Sequence, residues 1–185
     1  MLISFRSPQE FRKWLAANHG KSDGIWLRIF KKNSDTASIT YAEALDEAIC
    51  FGWIDGQKQK HDAESWLQKF TRRRPKSGWS RINTGHAERL IKAGRMKPHG
   101  QTEVDAAKKD GRWKAAYDSP SNATIPDDFL AALSKDPKAK AFFDSLNKAN
   151  RYAISYRLQT AKKPETRQRR MHLILGMLAR GEAFH

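Results

Sequence analysis

The chain has one cysteine, Cys50, in 185 residues. No intrachain disulfide can form, and the fold has no need of an oxidising compartment. No apolar run approaches about 18 residues, so no membrane-spanning helix is predicted. The six histidines, at 19, 61, 86, 99, 172 and 185, include no pair at metal-ligand spacing, and there is no cysteine cluster. No metal site is therefore predicted. A Walker A loop, a GxGxxG after a strand and a GxSxG elbow are all missing. No catalytic residue and no cofactor is assigned. The opening MLISFRSPQEFRKW breaks into charge within six residues and has no apolar h-region. The expectation is a chain with no signal peptide and a cytoplasmic location.

Acidic residues are scarce in two places. Residues 71–100 hold nine Lys/Arg against one acid, and residues 148–170 hold eight against one. Elsewhere the two signs cancel at 18 each, so these segments carry the whole net charge of +15. Charge this concentrated favours an anionic partner, whether a phosphate-bearing small molecule, nucleic acid or an acidic surface.

The local patterns predict an α+β fold. SPQEFRKWLAANHG reads as a helix capped by Ser7, with Pro8 in the first turn, Glu10 in the box position, and Phe11, Trp14 and Leu15 as its stripe. GIWLRIFKK alternates, with Ile25, Leu27 and Ile29 on one face and Trp26, Arg28 and Phe30 on the other. TYAEALDEAICFG is a helix capped by Thr40 and Glu43, with Leu45, Ala48 and Ile49 as its core stripe. WIDGQKQKHDAESWLQKFTRR reads as a hairpin turning near His61 and Asp62. SGWSRINTGHAERLIKAG reads as a helix capped by Ser77. The result is a small antiparallel sheet with helices over 1–116. A linker, rich in proline and small polar residues, covers 117–125. An all-helical region covers 126–185, packed by Phe142, Phe143, Leu175 and Leu178.

Trp14, Trp53, Trp66 and Trp79 fall on apolar faces and are expected in the core, with Trp113 partly exposed. A base-stacking platform needs exposed aromatics on a basic sheet. Cys50 reads as a buried small hydrophobe and Asp55 as a turn residue.

The best candidate site is TRRRPKSGWSRIN. With Ser77 as cap, the amides of residues 78–80 point at a ligand, and Arg72, Arg74 and Lys76 arrive just before them. Ser77 and Ser80 add hydroxyls, and Gly78 allows close approach. The alternative is a capped helix whose arginines pair with Asp55, Asp62 or Glu64. In the second basic segment, Arg167 and Arg170 share a face at the start of a helix, against the favourable sign of the helix dipole. An anion or a packed acidic residue would relieve that.

Several stretches resemble the YdeI/OmpD-associated family, also labelled bacteriocin-protection proteins. They are YAEALDEAICFGWIDGQK, KFTRRRPKSGWSRIN, ERLIKAGRMKPHG, KKDGRWKAAYDSP and AKKPETRQRRMHLILGMLARGE. The resemblance runs from Phe11 to Gly181, and the helices from about Pro126 resemble the family's named domain. It implies a part in tolerance to bacteriocins or antimicrobial peptides and association with an outer-membrane porin, and it carries over no catalytic residue. A chain of net +15 is a poor direct trap for cationic peptides, because like charges repel, so protection would act indirectly.

The first functional reading is a non-catalytic binding protein with a basic site for a phosphorylated or otherwise anionic ligand. A nucleic-acid-binding protein using both basic segments is the alternative, and an enzyme on a phosphorylated metabolite is the third. A compact pocket favours the first and a continuous basic stripe the second.

Overall fold

The computed structural model describes residues 1–185, and the chain divides into two compact units. The first comprises Met1–Ser77 and Gly85–Ala107, the second Gly78–Thr84 and Lys108–His185. The segment 117–125 lies inside the second unit and carries no helix.

The first unit contains β1 (Leu2–Ile3), α1 (Pro8–Asn18), β2 (Ile25–Phe30), α2 (Tyr41–Cys50), β3 (Trp53–Lys60) and β4 (Ser65–Arg72). It also holds most of α3 (Arg81–Lys92) and α4 (Pro98–Lys109). The sheet order is β1-β2-β4-β3. β3 and β4 form the expected antiparallel hairpin, and β2 pairs antiparallel with the other edge of β4. The sheet is nevertheless mixed, because β1 runs parallel to β2, with Leu2 opposite Trp26 and Ile3 opposite Leu27. Two residues are too few to show an alternation, so this strand had no sequence signal.

Ile25, Leu27 and Ile29 are buried, while Trp26, Arg28 and Phe30 stay half-exposed on the other face. Helix α1 covers the buried face: the Phe11 ring lies 5.8 Å from that of Phe70, and Trp14 meets Trp53 edge-on at 5.7 Å. Phe11, Leu15, Ile25, Leu27 and Phe70 are all essentially buried, each contributing about 1.5–3 kcal/mol by leaving water. Trp53 and Trp79 are core residues as expected, but Trp14 and Trp66 are only half-buried. Trp66 sits near the hairpin end, with the Lys58 ammonium 4.2 Å from its ring centroid. Both helix starts hold at their caps. Ser7 Oγ accepts from the Glu10 amide, and Thr40 forms a full capping box with Glu43.

The second unit is helical where the proline and apolar pattern predicted helices: α5 (Asp127–Leu133), α6 (Pro137–Ser145), α7 (Lys148–Gln159) and α8 (Pro164–Ala179). No strand occurs in 126–185. Phe129, Leu133, Phe143, Ile154, Leu158, Ile174 and Leu178 form its core, with Phe142 and Leu175 packed at the edge.

One helix start differs from expectation. Ser77 caps no helix: α3 begins at Arg81, and Ser80 Oγ accepts from the Asn83 amide at 3.2 Å. The cause is a competing backbone partner. Ser80 forms a parallel bridge with Tyr117. The Tyr117 amide donates to Trp79 O at 3.0 Å, and the Arg81 amide donates to Tyr117 O at 2.8 Å. Backbone held this way is extended and cannot enter a helix until after Ser80.

Candidate functional site

The basic run begins at the end of β4, where Arg72 lies opposite Trp53. The Arg73 amide donates to Gly52 O at 3.0 Å, which extends the hold on the chain by one residue. Then Arg74, Pro75, Lys76 and Ser77 make a tight turn, closed by a 3.0 Å bond from the Ser77 amide to Arg74 O. Proline stands second and Lys76, third, has φ of 64°. This is the signature of a type II turn, whose third position normally belongs to glycine. A left-handed conformation costs a side-chain-bearing residue roughly 1–2 kcal/mol. Lys76→Gly is therefore expected to raise stability by up to about 1 kcal/mol after glycine's own entropy is deducted, read as a higher urea midpoint. An unchanged or lower midpoint would show that the turn carries no such strain.

The turn and strand end wall a cavity of about 670 Å³, lined by Met1, Asp23, Gly24, Trp26, Lys69, Thr71, Arg72, Arg73, Arg74 and Pro75. Its lining includes four basic residues and one carboxylate, Asp23. Gly24 is required here. A Cβ on it would stand 2.7 Å from Thr71 Cγ2 and 2.8 Å from Phe70 O, closer than such atoms approach. Arg72 and Arg74 are exposed, and Arg73 is buried. Arg72 Nη1 makes a long contact of 3.4 Å to Gly20 O. Two of the carboxylates considered as partners from sequence hold other residues. Asp55 accepts from Tyr41 Oη at 2.8 Å, and Asp62 accepts from Arg28 at 2.7 Å and from Ser65.

Arg72 and Arg73 also line a smaller cavity of about 230 Å³ with His19, Gly52, His99, Thr102 and Glu103. The His19 and His99 ring centroids are 3.9 Å apart. His19 Nδ1 lies 2.9 Å from Leu15 O. A carbonyl only accepts, so Nδ1 carries the proton.

The other predicted residues fall elsewhere. Lys76 and Ser77 belong to the first unit, Gly78 and Ser80 to the second. Ser80 is occupied as the cap of α3, so the helix amides that the sequence reading placed at 78–80 are not presented there. Arg167 and Arg170 are engaged within the second unit. Arg167 grips Asp128 bidentately at 2.5 and 2.8 Å. Its guanidinium holds the Asp128 carboxyl below the ordinary carboxylate range. Arg170 donates to Arg157 O at 2.7 Å, a carbonyl in the last turn of α7, and to Thr160 Oγ1 at 3.3 Å. Asp128 thus relieves part of the crowding of cations at the start of α8, and Asp110 stands 3.9 Å from Lys162.

A buried charge cluster was not predicted at all. Glu47 of α2 is 2 % exposed and binds Arg12 at 2.7 and 3.0 Å and Arg95 at 2.7 Å. Its neighbour Asp46 accepts from Arg89 at 2.6 Å and meets His86 Nδ1 at 2.9 Å. Burial pushes the Asp46 carboxyl up, and the bonds from Arg89 and His86 more than reverse this, leaving it below its ordinary value. One turn on, burial first and then the Glu47 charge push the Cys50 thiol up to about 11. The raised value and the burial favour the neutral thiol over the reactive thiolate. Adjacent acids inside an otherwise apolar helix were the available signal. Their three arginine partners lie too far away in sequence to be matched by eye.

Two family models match the chain. One, described as "Domain of unknown function (DUF8412)", covers residues 3–103. The other, described as "Bacteriocin-protection, YdeI or OmpD-Associated", covers residues 122–181. No curated protein and no solved structure matches.

Proposed function

The chain belongs to the DUF8412 family, with C-terminal helices of the bacteriocin-protection, YdeI or OmpD-associated kind, and we propose that it binds a phosphate-bearing anion in the basic cavity of its first unit. One observation supports the reading: Lys69, Arg72, Arg73 and Arg74 all line a single cavity whose lining includes one acid, Asp23. Guanidinium forks match phosphate oxygens bidentately, and a concave wall strengthens each contact by excluding water. The anion site of this proposal centres on Arg72 and Arg74. Arg167 and Arg170 act in it as structural cations, since both already hold protein acceptors. The label attached to the C-terminal helices fits a part in bacteriocin tolerance, which on this reading follows from binding the anion.

Titrating inorganic phosphate against the full chain, followed by calorimetry, tests this. Arg72→Ala and Arg74→Ala are each expected to weaken binding several-fold while shifting stability by less than about 0.5 kcal/mol, since both are exposed. Arg167→Ala is expected to leave phosphate affinity unchanged and lower the unfolding midpoint. Equal binding by the wild type and the Arg72 and Arg74 variants, or no binding by the wild type, sinks the proposal.

A further inference from the structure

The open face of the first unit's sheet carries aromatic rings beside the cationic wall. On β2, Trp26, Arg28 and Phe30 point away from the core and stay half-exposed. The register sets Lys69 beside Trp26 and Leu67 beside Arg28. Helix α1 lies on the other side, with Phe11 against Phe70. The Lys69 ammonium stands 5.6 Å from the Trp26 ring centroid, and the Arg28 guanidinium stands 4.3 Å from that of Phe30. Arg28 is held in place, its Nε donating to Ser65 Oγ at 2.9 Å and its Nη2 to Asp62 at 2.7 Å. Trp26 itself lines the basic cavity. The aromatic row therefore starts where the arginines stand and runs four residues along the strand, about 13 Å.

From this juxtaposition we infer that the sheet face binds short single-stranded nucleic acid. Phosphates lie along Lys69 and Arg74, both of which line the cavity with Trp26. One base stacks on Trp26 and another on the Arg28–Phe30 pair. Every base has a π-face, and both aromatic rings and guanidinium planes accept one, so such stacking tolerates any sequence. An inorganic anion uses neither ring, and a mononucleotide uses only the first. A duplex keeps its bases paired and stacked and cannot offer them to a flat sheet. The inference rests on the anion-binding reading and adds the class of ligand to it.

The test is fluorescence anisotropy of a labelled short oligo-dT and oligo-U on the full chain, alongside a mononucleotide, a duplex and competition by inorganic phosphate. The single strands are expected to bind more tightly than mononucleotide or duplex, with affinity falling steeply as salt rises. Phe30→Ala and Trp26→Ala are each expected to weaken the single strands roughly tenfold. Phe30 is outside the cavity lining, so Phe30→Ala should leave phosphate competition at the cavity unchanged. If Trp26→Ala fails to fold, Phe30→Ala decides alone. Phosphate binding with no loss of oligonucleotide affinity in the Phe30 variant overturns the platform and leaves the anion site standing. So does a duplex or mononucleotide that binds as tightly as the single strand. A wild type that binds neither phosphate nor oligonucleotide overturns both.

Discussion

Glu47→Ala is expected to remove about 3 kcal/mol of stability from the first unit, measured as a fall in the urea midpoint at unchanged slope. Glu47 is 2 % exposed and bridges Arg12 and Arg95. Deleting one partner of a buried ion pair typically costs about 3–5 kcal/mol, because the remaining charge keeps its desolvation penalty. The lower end applies, since the Arg12 and Arg95 side chains are 37 % and 34 % exposed and can turn toward water. Glu47→Gln keeps the shape and some hydrogen bonding and should cost less, about 1–2 kcal/mol. Arg12→Ala should also cost less than Glu47→Ala, because Arg95 still holds the carboxylate. A Glu47→Ala loss under about 1 kcal/mol would sink this account of the cluster. Acid acts on the same network through Asp46, whose carboxyl is held below its ordinary value. Its stabilisation is present above the unfolded carboxylate pKa and is lost as pH falls through the depressed folded value. The urea midpoint should therefore drop on acidification, and an Asp46→Asn variant should flatten part of that drop.

Gly100→Ala is expected to cost roughly 3 kcal/mol, at the upper end of overpacking penalties. A Cβ built on Gly100 lies 2.4 Å from Cys50 O, 2.5 Å from Met96 Sδ and 2.7 Å from Ile49 O. Two of these atoms are backbone carbonyls at the end of α2, so a side-chain rotation gives no relief. Helix propensity pulls the other way, favouring alanine by about 1 kcal/mol inside a helix. The steric term wins because α4 must retreat bodily from α2 to make room. The same displacement would disturb the Lys97 amide, which donates to Cys50 O at 3.1 Å. Thermal unfolding of Gly100→Ala and Gly100→Ser compared with wild type checks this. Wild-type stability in the alanine variant would mean that α4 moves freely against α2.

Much of the fold was legible because its signals are local. Alternation in IWLRIF separated the two faces of β2, one of which is buried and the other half-exposed, since side chains on a strand leave the sheet with a period of two. Thr40 and Glu43 announced the start of α2 because a capping box closes within one turn. Pro137 fell at a first helical position for a similarly local reason, while Pro126, expected in a first turn as well, stands one residue earlier as the cap of α5. The family of the C-terminal helices was also readable from its motifs. Ser77 misled for the complementary reason. As a cap it was locally sound, but Tyr117, far along the chain, takes the backbone bonds of Trp79 and Arg81 and delays the helix to Arg81.

The candidate site divides along the same line. Its arginines stood together in the sequence, so Arg72 and Arg74 could be named by charge alone. Lys69, Trp26 and Gly24 could not, because only the pairing of β2 with β4 brings them to the same cavity. Arg167 and Arg170 looked equally available until α5 and α7 supplied Asp128 and the Arg157 carbonyl. The sequence by itself determined most of the elements, the caps of α1 and α2, the two faces of β2 and where the positive charge is concentrated, all consequences of neighbours within a few residues. Tertiary structure alone decided which cations are consumed by protein partners, which ones line a cavity, and that two adjacent carboxylates lie buried among arginines. Each of these depends on meetings across tens of residues, and local periodicity holds no record of them.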